Sequence, residues 1–239
     1  MQVSKWLMVV LTVCLLGGKA FSQSADDIIN KNLDAMGGKD KLATLKTVYE
    51  ETSTQAMGNE LPGKTWYING EGFRAEINAM GSSIITVMTK DTGWMINPLT
   101  GNSDPQALPA AAVKQSISRL DLRGQFLNYA ANGYTATLMG SEKVNGSDCY
   151  KIKLSKPGDS DVIYFVDAAT YYIDKVTSSA KVNGSDITAD VLFGNYKKTP
   201  EGYVFANSTT FSTPQGDITA TVTKVVPNQP IDPMLLKKP

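Results

Sequence analysis

Three short motifs in this sequence carry residue types that could do chemistry. Residues 58–65 read GNELPGKT and fit the G-x-x-x-x-G-K-[S/T] pattern of phosphate-binding loops. The later segment VIYFVD ends in Asp167, like a buried strand whose last carboxylate holds Mg²⁺. Asp91, Thr92 and Gly93 spell the D-T-G of aspartic proteases. Each motif would be catalytic only if the neighbouring elements placed it correctly.

The elements around the phosphate-loop motif are of the wrong kind. Such a loop needs a buried strand before it and the N-terminus of a helix after it, because amides and helix dipole bind the phosphate. In the preceding segment KTVYEETSTQAM apolar and polar residues alternate, as in a half-exposed strand. The following segment WYINGEGF contains a turn. We therefore expect a hairpin turn at Pro62-Gly63 and a second turn at Asp167. Nucleotide binding is not indicated.

The D-T-G motif lacks the second carboxylate that protease chemistry requires. Two aspartates must share one proton, and the chain contains no second D-T-G or D-S-G. We interpret the motif as a turn before the strand WMI. A hydrolase acting through Asp91 or Asp167 remains the weakest of three hypotheses, because no spacing ties two carboxylates together.

Two absences limit the chemistry further. The chain contains no histidine, which removes the usual general base and the commonest zinc ligand. Cys149 lies in the alternating run CYKIKL, on the same face as Lys151 and Lys153, where a structural cysteine is expected. The sequence thus predicts no enzyme, no cofactor and no metal site.

The N-terminus is typical of a secretory signal peptide. Lys5 is followed by an apolar run too short to span a bilayer, and Ala20-Phe21-Ser22 predicts cleavage after Ser22. Cys14 lies inside that run, so lipidation there is the less favoured reading. The mature chain is slightly acidic and has no second long apolar run. We expect a periplasmic monomer without a membrane span and without a nucleic-acid partner.

The remaining pattern predicts an α+β protein dominated by antiparallel strands. A helix begins after Ser24 and ends at Gly37-Gly38, and a second short helix follows. From Lys46 the apolar period changes to two, giving roughly ten strands. The loop NPLTGNSDPQALPAAA interrupts them, a helix is expected at about 113–131, and a Pro-rich tail follows the last strand. No linker divides residues 23–239, so we expect one domain.

This inventory leaves apolar sheet surface uncovered. A helix about 10 Å across covers two or three strands spaced about 4.8 Å apart, so two or three helices cannot cover ten strands. A second sheet, a closed barrel or a curved sheet with a partly vacant cavity would each solve the problem. A vacant apolar cavity in an exported protein indicates lipid or acyl-chain binding.

Several stretches spread along the chain resemble the LolA-like superfamily of periplasmic lipoprotein carriers, in the form common in Bacteroidota. They are ADDIINKNLDAMGGKDKLATLKTV, GFRAEI, DTGWMINPLTG, GSEKVNGSDCYKIKL, YFVDAATYYIDKV, NYKKTPEGYVFA and PNQPIDPMLLKKP. The resemblance implies an incomplete β-barrel, a strongly curved sheet wrapped over two or three helices. It also implies an apolar hollow that receives the acyl chains of outer-membrane lipoproteins.

The resemblance also suggests residues for the hollow and its mouth. Phe73-Arg74 matches an aromatic–Arg pair near the cavity mouth, where the arginine helps to hold a helical lid. Trp94 and Pro98 match a Gly-Trp-x-x-x-Pro strand and loop. Further candidates for the lining are Trp66, Phe126, Leu127 and Phe165.

The sequence therefore favours a non-enzymatic carrier that binds acyl chains or lipidated N-termini and sorts lipoproteins toward the outer membrane, with possible envelope transfer partners. The alternative is a structural or interaction module. In that case the sheet is packed by its own side chains, and its surface or tail docks an envelope partner.

Overall fold

The computed structural model describes residues 23–238 apart from positions 57, 183–184 and 214–215. The predicted signal peptide, with Cys14 and the cleavage site after Ser22, lies outside the described residues. Within the described residues, no helix is long and apolar enough to cross a membrane.

Thirteen antiparallel strands in the described part of the chain form one continuous sheet. They are β1 (Thr47–Ala56), β2 (Asn59–Ile68), β3 (Gly72–Ala79), β4 (Ser82–Thr89), β5 (Gly93–Asn97), β6 (Asn102–Ala107), β7 (Thr135–Val144), β8 (Ser147–Ser155), β9 (Val162–Asp167), β10 (Ile173–Val182), β11 (Ser185–Lys198), β12 (Val204–Thr213) and β13 (Gly216–Pro227). The order across the sheet is β6-β5-β4-β3-β2-β1-β13-β12-β11-β10-β9-β8-β7. The first and last strands therefore meet in the middle, and β6 and β7 are the two edges.

The predicted antiparallel sheet with few helices is confirmed, whereas the predicted strong curvature is not found. The sheet is neither closed nor strongly curled. The predicted loop at 97–112 contains a strand of its own, β6, which brings the count above ten. Pro105 is tolerated in β6 because an edge strand has no partner on one side. Its missing N–H also makes β6 a poor partner for a further strand, which disfavours closure of the sheet into a barrel.

The N-terminal helix α1 (Ala25–Ala35) forms as the sequence predicts. Ser24 and Asp27 make a capping box: the Ser24 hydroxyl accepts from the Asp27 amide at 3.1 Å, and the Asp27 carboxylate accepts from the Ser24 amide at 3.0 Å. The buried stripe Ile28, Ile29 and Leu33 packs on one cluster of side chains, which includes Ile152, Leu154, Tyr164 and Val166 of β8 and β9. The short helix α2 (Lys39–Ala43) follows.

The helix expected at 113–131 is broken into three pieces, which corrects that prediction. They are α3 (Ala110–Ser116) and two 3-10 turns, Ile117–Leu120 and Gln125–Asn128. Asp121 is extended and pairs with Arg123 at 2.7 Å, so the helix ends there. Gly124 then adopts φ +84°, which a helix cannot contain. This segment joins edge strand β6 to edge strand β7.

Cross-strand register divides the side chains of the sheet between two faces, since residues directly opposite one another in a ladder share a face. We call the side that carries Val48, Tyr67 and Met88 the helix face, because these residues pack on the helical segments. We call the other side the outer face. The C-terminal tail crosses that outer face, where its 3-10 turn Pro233–Leu236 contacts β3 and β4.

Candidate functional site

The phosphate-loop motif forms part of a strand. Residues 59–68 form β2, and Pro62 and Gly63 pair with Ser53 and Thr52 of β1, so the expected hairpin turn at Pro62-Gly63 is wrong. Pairing of β2 with β3 begins only at Gly63, which leaves Pro62 without a neighbour that needs its N–H. No helix begins at Lys64. The chemistry of a phosphate loop is therefore missing from this segment of the described chain.

Asp91 lies in a turn, as predicted, whereas Asp167 is the last strand residue before the expected turn. Asp91 is exposed in the turn before β5. Asp167 ends β9, and its Oδ1 accepts hydrogen bonds from the amides of Ala169 and Thr170 at 2.9 and 2.6 Å. These bonds hold the turn to β10, so this oxygen is already engaged.

Asp167 also belongs to a small polar group with Cys149 and Asp174, whose ligand atoms lie within 4.8 Å of one another. The Cys149 thiol is fully buried on the outer face and donates to Asp174 Oδ2 at 3.6 Å. Burial first, and then the two carboxylates, raise the pKa of Cys149 to about 12. A protonated thiol is neither a nucleophile nor a good metal ligand, which favours the structural role that the sequence predicted.

Three of the predicted lining residues lie on the helix-face side. Phe73 packs against the buried Met88, Val113 and Leu120 and lies 5.7 Å from the ring of Tyr67. Phe126 and Leu127, in the second 3-10 turn, pack over β8 and β9, with the Phe126 ring 4.6 Å from Tyr164. Phe73 therefore belongs to the packing under α3, and Phe126 to the packing beside α1.

Trp66, Arg74 and Trp94 lie on the outer face. The ladder aligns Trp66 with Arg74, Arg74 with Val87 and Val87 with Trp94, in one row across β2 to β5. Arg74 makes an ion pair with Glu76 at 2.7 Å. Lys238 of the tail lies 4.5 Å from the Trp94 ring, and Val87 is completely buried although it faces away from the helices.

The last two predicted residues also lie away from the helix face. Pro98 starts the 3-10 turn Pro98–Thr100 at the tip between β5 and β6. Phe165 belongs to an outer-face cluster with Val144 and Cys149, and the Lys175 ammonium lies 3.9 Å from its ring centroid. The eight predicted residues therefore divide between the two faces of the sheet and a loop.

One row of the helix face, which the sequence analysis did not single out, lies outside the buried clusters of the described residues. One row of the ladder places Glu50, Thr65, Ala75, Thr86 and Met95 side by side across β1 to β5. All five keep partial solvent exposure, and none belongs to a buried cluster of the described residues. We call this row the lane.

Larger side chains border the lane on both sides. The row toward the helices contains Tyr67, Phe73 and Met88. The row on the other side contains Ile77 and Ile84, both half-buried. The lane is thus a low strip of mostly small side chains between two higher apolar rows.

Glu50 is the one acidic residue of the lane. Its side chain is partly buried, and burial raises its pKa to about 7. Its cross-strand neighbours are Thr65 and Val225, and it is close enough to Tyr67 for their charges to interact. The alternation in TVYEETSTQA could have identified Glu50, because it shares a face with the buried Val48 two residues earlier.

The comparisons with known proteins concern the fold. No protein-family model matches the chain, and no curated protein matches its sequence. The similar solved structures include three that match over most of their own length. An outer membrane lipoprotein-sorting protein domain from Vibrio parahaemolyticus, described as putative, has 13% identity and TM-score 0.56, covering 87% of this chain and 93% of that one.

The other two are equally distant in sequence. A DUF1329 family protein from Desulfovibrio piger has 13% identity and TM-score 0.59, covering 90% of this chain and 98% of that one. A LolA superfamily protein from Nitrosomonas europaea has 14% identity and TM-score 0.57, covering 90% and 99%. The chain therefore has a fold similar to that of LolA-superfamily and lipoprotein-sorting proteins, as its sequence motifs suggested.

Proposed function

We propose that this protein is a non-enzymatic periplasmic carrier that binds an acyl chain or a lipidated N-terminus along the lane and sorts lipoproteins toward the outer membrane. The observation that carries the proposal is the uncovered apolar part of the helix face. Half-buried apolar and small side chains in a continuous row are a surface that gains free energy when an acyl chain displaces water from it.

The similarity of fold supports the same function. Two of the matching structures carry the descriptions "outer membrane lipoprotein-sorting protein domain" and "LolA superfamily protein". At 13–14% identity this similarity concerns architecture, so the ligand must be argued from the lane itself. The signal peptide, the single domain at 23–239, the monomeric state and the relation to the Bacteroidota carriers are parts of the proposal.

The predicted binding residues take different places in this proposal. Phe73 borders the lane, and Phe126 and Leu127 lie farther along the same face, over β8 and β9. Pro98 lies in the tip beside β5 and can contact a ligand that leaves the lane there. Trp66, Arg74, Trp94 and Phe165 face the other way and are assigned to the stability of the outer face.

A pair of matched substitutions on one strand tests the proposal. Thr86→Phe places a large ring in the middle of the lane, whereas Ile85→Phe adds a ring of the same kind to the outer face of β4. We expect the wild type and Ile85→Phe to bind a fluorescent acyl probe in the micromolar range or tighter. Thr86→Phe should bind at least tenfold more weakly, with an unchanged circular dichroism spectrum.

The alternative module would give another result. If none of the three proteins binds the probe, or if Thr86→Phe binds as well as the wild type, the lane is not an acyl site. Native mass spectrometry of the protein released from the periplasm is an independent measurement, because a carrier should retain lipid that a packed interaction module would not.

A further inference from the structure

Glu50 is the charged end of a lane whose other members are uncharged. The hydroxyls of Thr65 and Tyr67 belong to the neighbouring strand β2, and Tyr67 lies near the Glu50 carboxyl. From β1 to β5, the lane crosses four strand spacings, or about 19 Å at about 4.8 Å each. This length suits one long acyl group lying across the strands with its polar end at β1.

The carboxyl of Glu50 has no partner within the described part of the chain. No hydrogen bond or ion pair reaches it, and burial is the cause of its raised pKa. The cluster beside it consists of Leu45, Val48, Tyr67, Leu122, Tyr203, Phe205 and Val225. An isolated carboxylate in such surroundings is unfavourable, so a group that supplies a hydrogen bond would stabilise it.

The nearby charges are directed elsewhere. Glu51 and Lys224 face the outer side and pair with each other at 3.3 Å. Asp121 and Arg123, in the segment that packs on this end of the sheet, pair at 2.7 Å. On the strands that flank Glu50, the titratable group that faces it is the Tyr67 phenol, and burial, the largest cause, raises the pKa of Tyr67. Tyr67 is therefore uncharged at neutral pH.

We propose that the lane selects acyl groups whose polar end carries a neutral N–H donor, as in an N-acyl amide, and that Glu50 is the residue that accepts this hydrogen bond. This inference rests on the acyl-binding function proposed above. A free fatty acid presents a carboxylate instead. When Glu50 is ionised, two like charges meet at a partly buried site, and binding is weakened.

The discrimination depends on pH in a defined direction. Below about pH 7 the protonated Glu50 can donate to a fatty-acid carboxylate, so both ligands bind. Above that pH Glu50 has lost its proton, so binding of a carboxylate ligand requires the uptake of one proton from solution. The affinity for the carboxylate ligand therefore falls by up to about tenfold for each further pH unit. The affinity for the amide does not fall, since an ionised Glu50 still accepts a hydrogen bond from the amide N–H.

Displacement of an apolar fluorescent probe by dodecanoate and by dodecanamide, at pH 5.5 and pH 8.5, tests this inference. For the wild type, the ratio of amide affinity to acid affinity should rise at least tenfold between the two pH values. For Glu50→Gln the ratio should stay constant, which also corrects for titration of dodecanoate itself. Glu51→Gln is the matched control, because it removes the adjacent carboxylate from the outer face and should behave as the wild type.

Calorimetry of the wild type keeps the inference testable if Glu50→Gln does not fold. Dodecanoate binding at pH 8 should take up a proton, seen as a dependence of the heat on the ionisation enthalpy of the buffer, and dodecanamide binding should not. If the ratio of amide affinity to acid affinity changes with pH equally in the wild type and in Glu50→Gln, the proposed role of Glu50 is wrong. The same holds if dodecanoate binding takes up no proton, and in both cases the carrier function stands. Failure of every probe to bind any variant overturns the carrier function.

Discussion

Replacing Glu50 with glutamine should make the folded protein more stable at alkaline pH. Glutamine has the same shape, and it removes the charge that burial disfavours. The Glu50 pKa lies at about 7 in the folded chain and near 4.5 in an unfolded one. The difference of about 2.5 units corresponds to about 3 kcal/mol at 1.36 kcal/mol per unit. Partial exposure of the side chain lowers the expected figure to about 2 kcal/mol.

The sign follows from proton binding in the two states. Below pH 4.5 the carboxyl is protonated in both states, and the wild type and Glu50→Gln should have similar stability. Between pH 4.5 and 7 the unfolded chain releases the proton and the folded chain keeps it, so the contribution of Glu50 to the stability of the wild type falls as pH rises. Above about pH 7 both states are ionised, and the deficit remains constant.

Urea unfolding of both proteins at half-unit steps from pH 4 to 8.5 measures this difference directly. Glu51→Gln is the control with the opposite sign. Hydrogen bonds from Tyr49 and then Lys224 lower the pKa of Glu51, so its contribution is present at neutral pH and is lost as the pH falls. A free-energy difference between the wild type and Glu50→Gln that does not change with pH would refute the assignment of Glu50 as a buried, unpaired carboxyl.

Three further predictions concern other parts of the fold. Ser24→Ala removes the N-cap of α1 and should lower the free energy of unfolding by about 1 kcal/mol in urea titrations, whereas Ser24→Asp should retain most of it. Cys149 should react with a thiol reagent at pH 8 only after unfolding, since burial raises its pKa to about 12; a fast native reaction would contradict this. Deleting residues 233–239 should expose Val87 and, in a Trp66→Phe background, shift the fluorescence emission of Trp94 to the red. Unchanged emission would show that the tail does not cover the outer-face row that contains Val87 and Trp94.

The sequence correctly predicted those features that depend on residues close together in the chain, namely helix ends and the alternation of side chains along a strand. Ser24 followed by Asp27 gave the start of α1, and the two glycines after Met36 gave its end. The alternation in GFRAEINA correctly assigned Phe73 and Ala75 to one face. Each of these results depends on neighbours within four residues, which a sequence displays directly.

The errors arose where partners distant in sequence decide the outcome. Pro62-Gly63 has the composition of a turn, yet β1 pairs with it as a strand, and that pairing continues to Ala56 and Asn59. The helix expected at 113–131 ends at the Asp121–Arg123 pair and at Gly124, and the sequence shows no break in apolar content there. Phe73 and Arg74, which the sequence motifs placed together near one cavity mouth, face opposite sides of β3, since adjacent strand residues alternate in direction.

The exposed lane follows from the order of the strands. β1 and β13 meet in the middle, and the helical segments that pack on the helix face lie before β1 and between the edges β6 and β7. The first of these segments packs on β8 and β9, and the second reaches Phe73 and Met88 and then Phe126. At about 10 Å across, each covers two or three of thirteen strands. The uncovered apolar strip is therefore a property of the topology, whereas the single carboxyl within it is a property of this sequence, and the two can be tested separately.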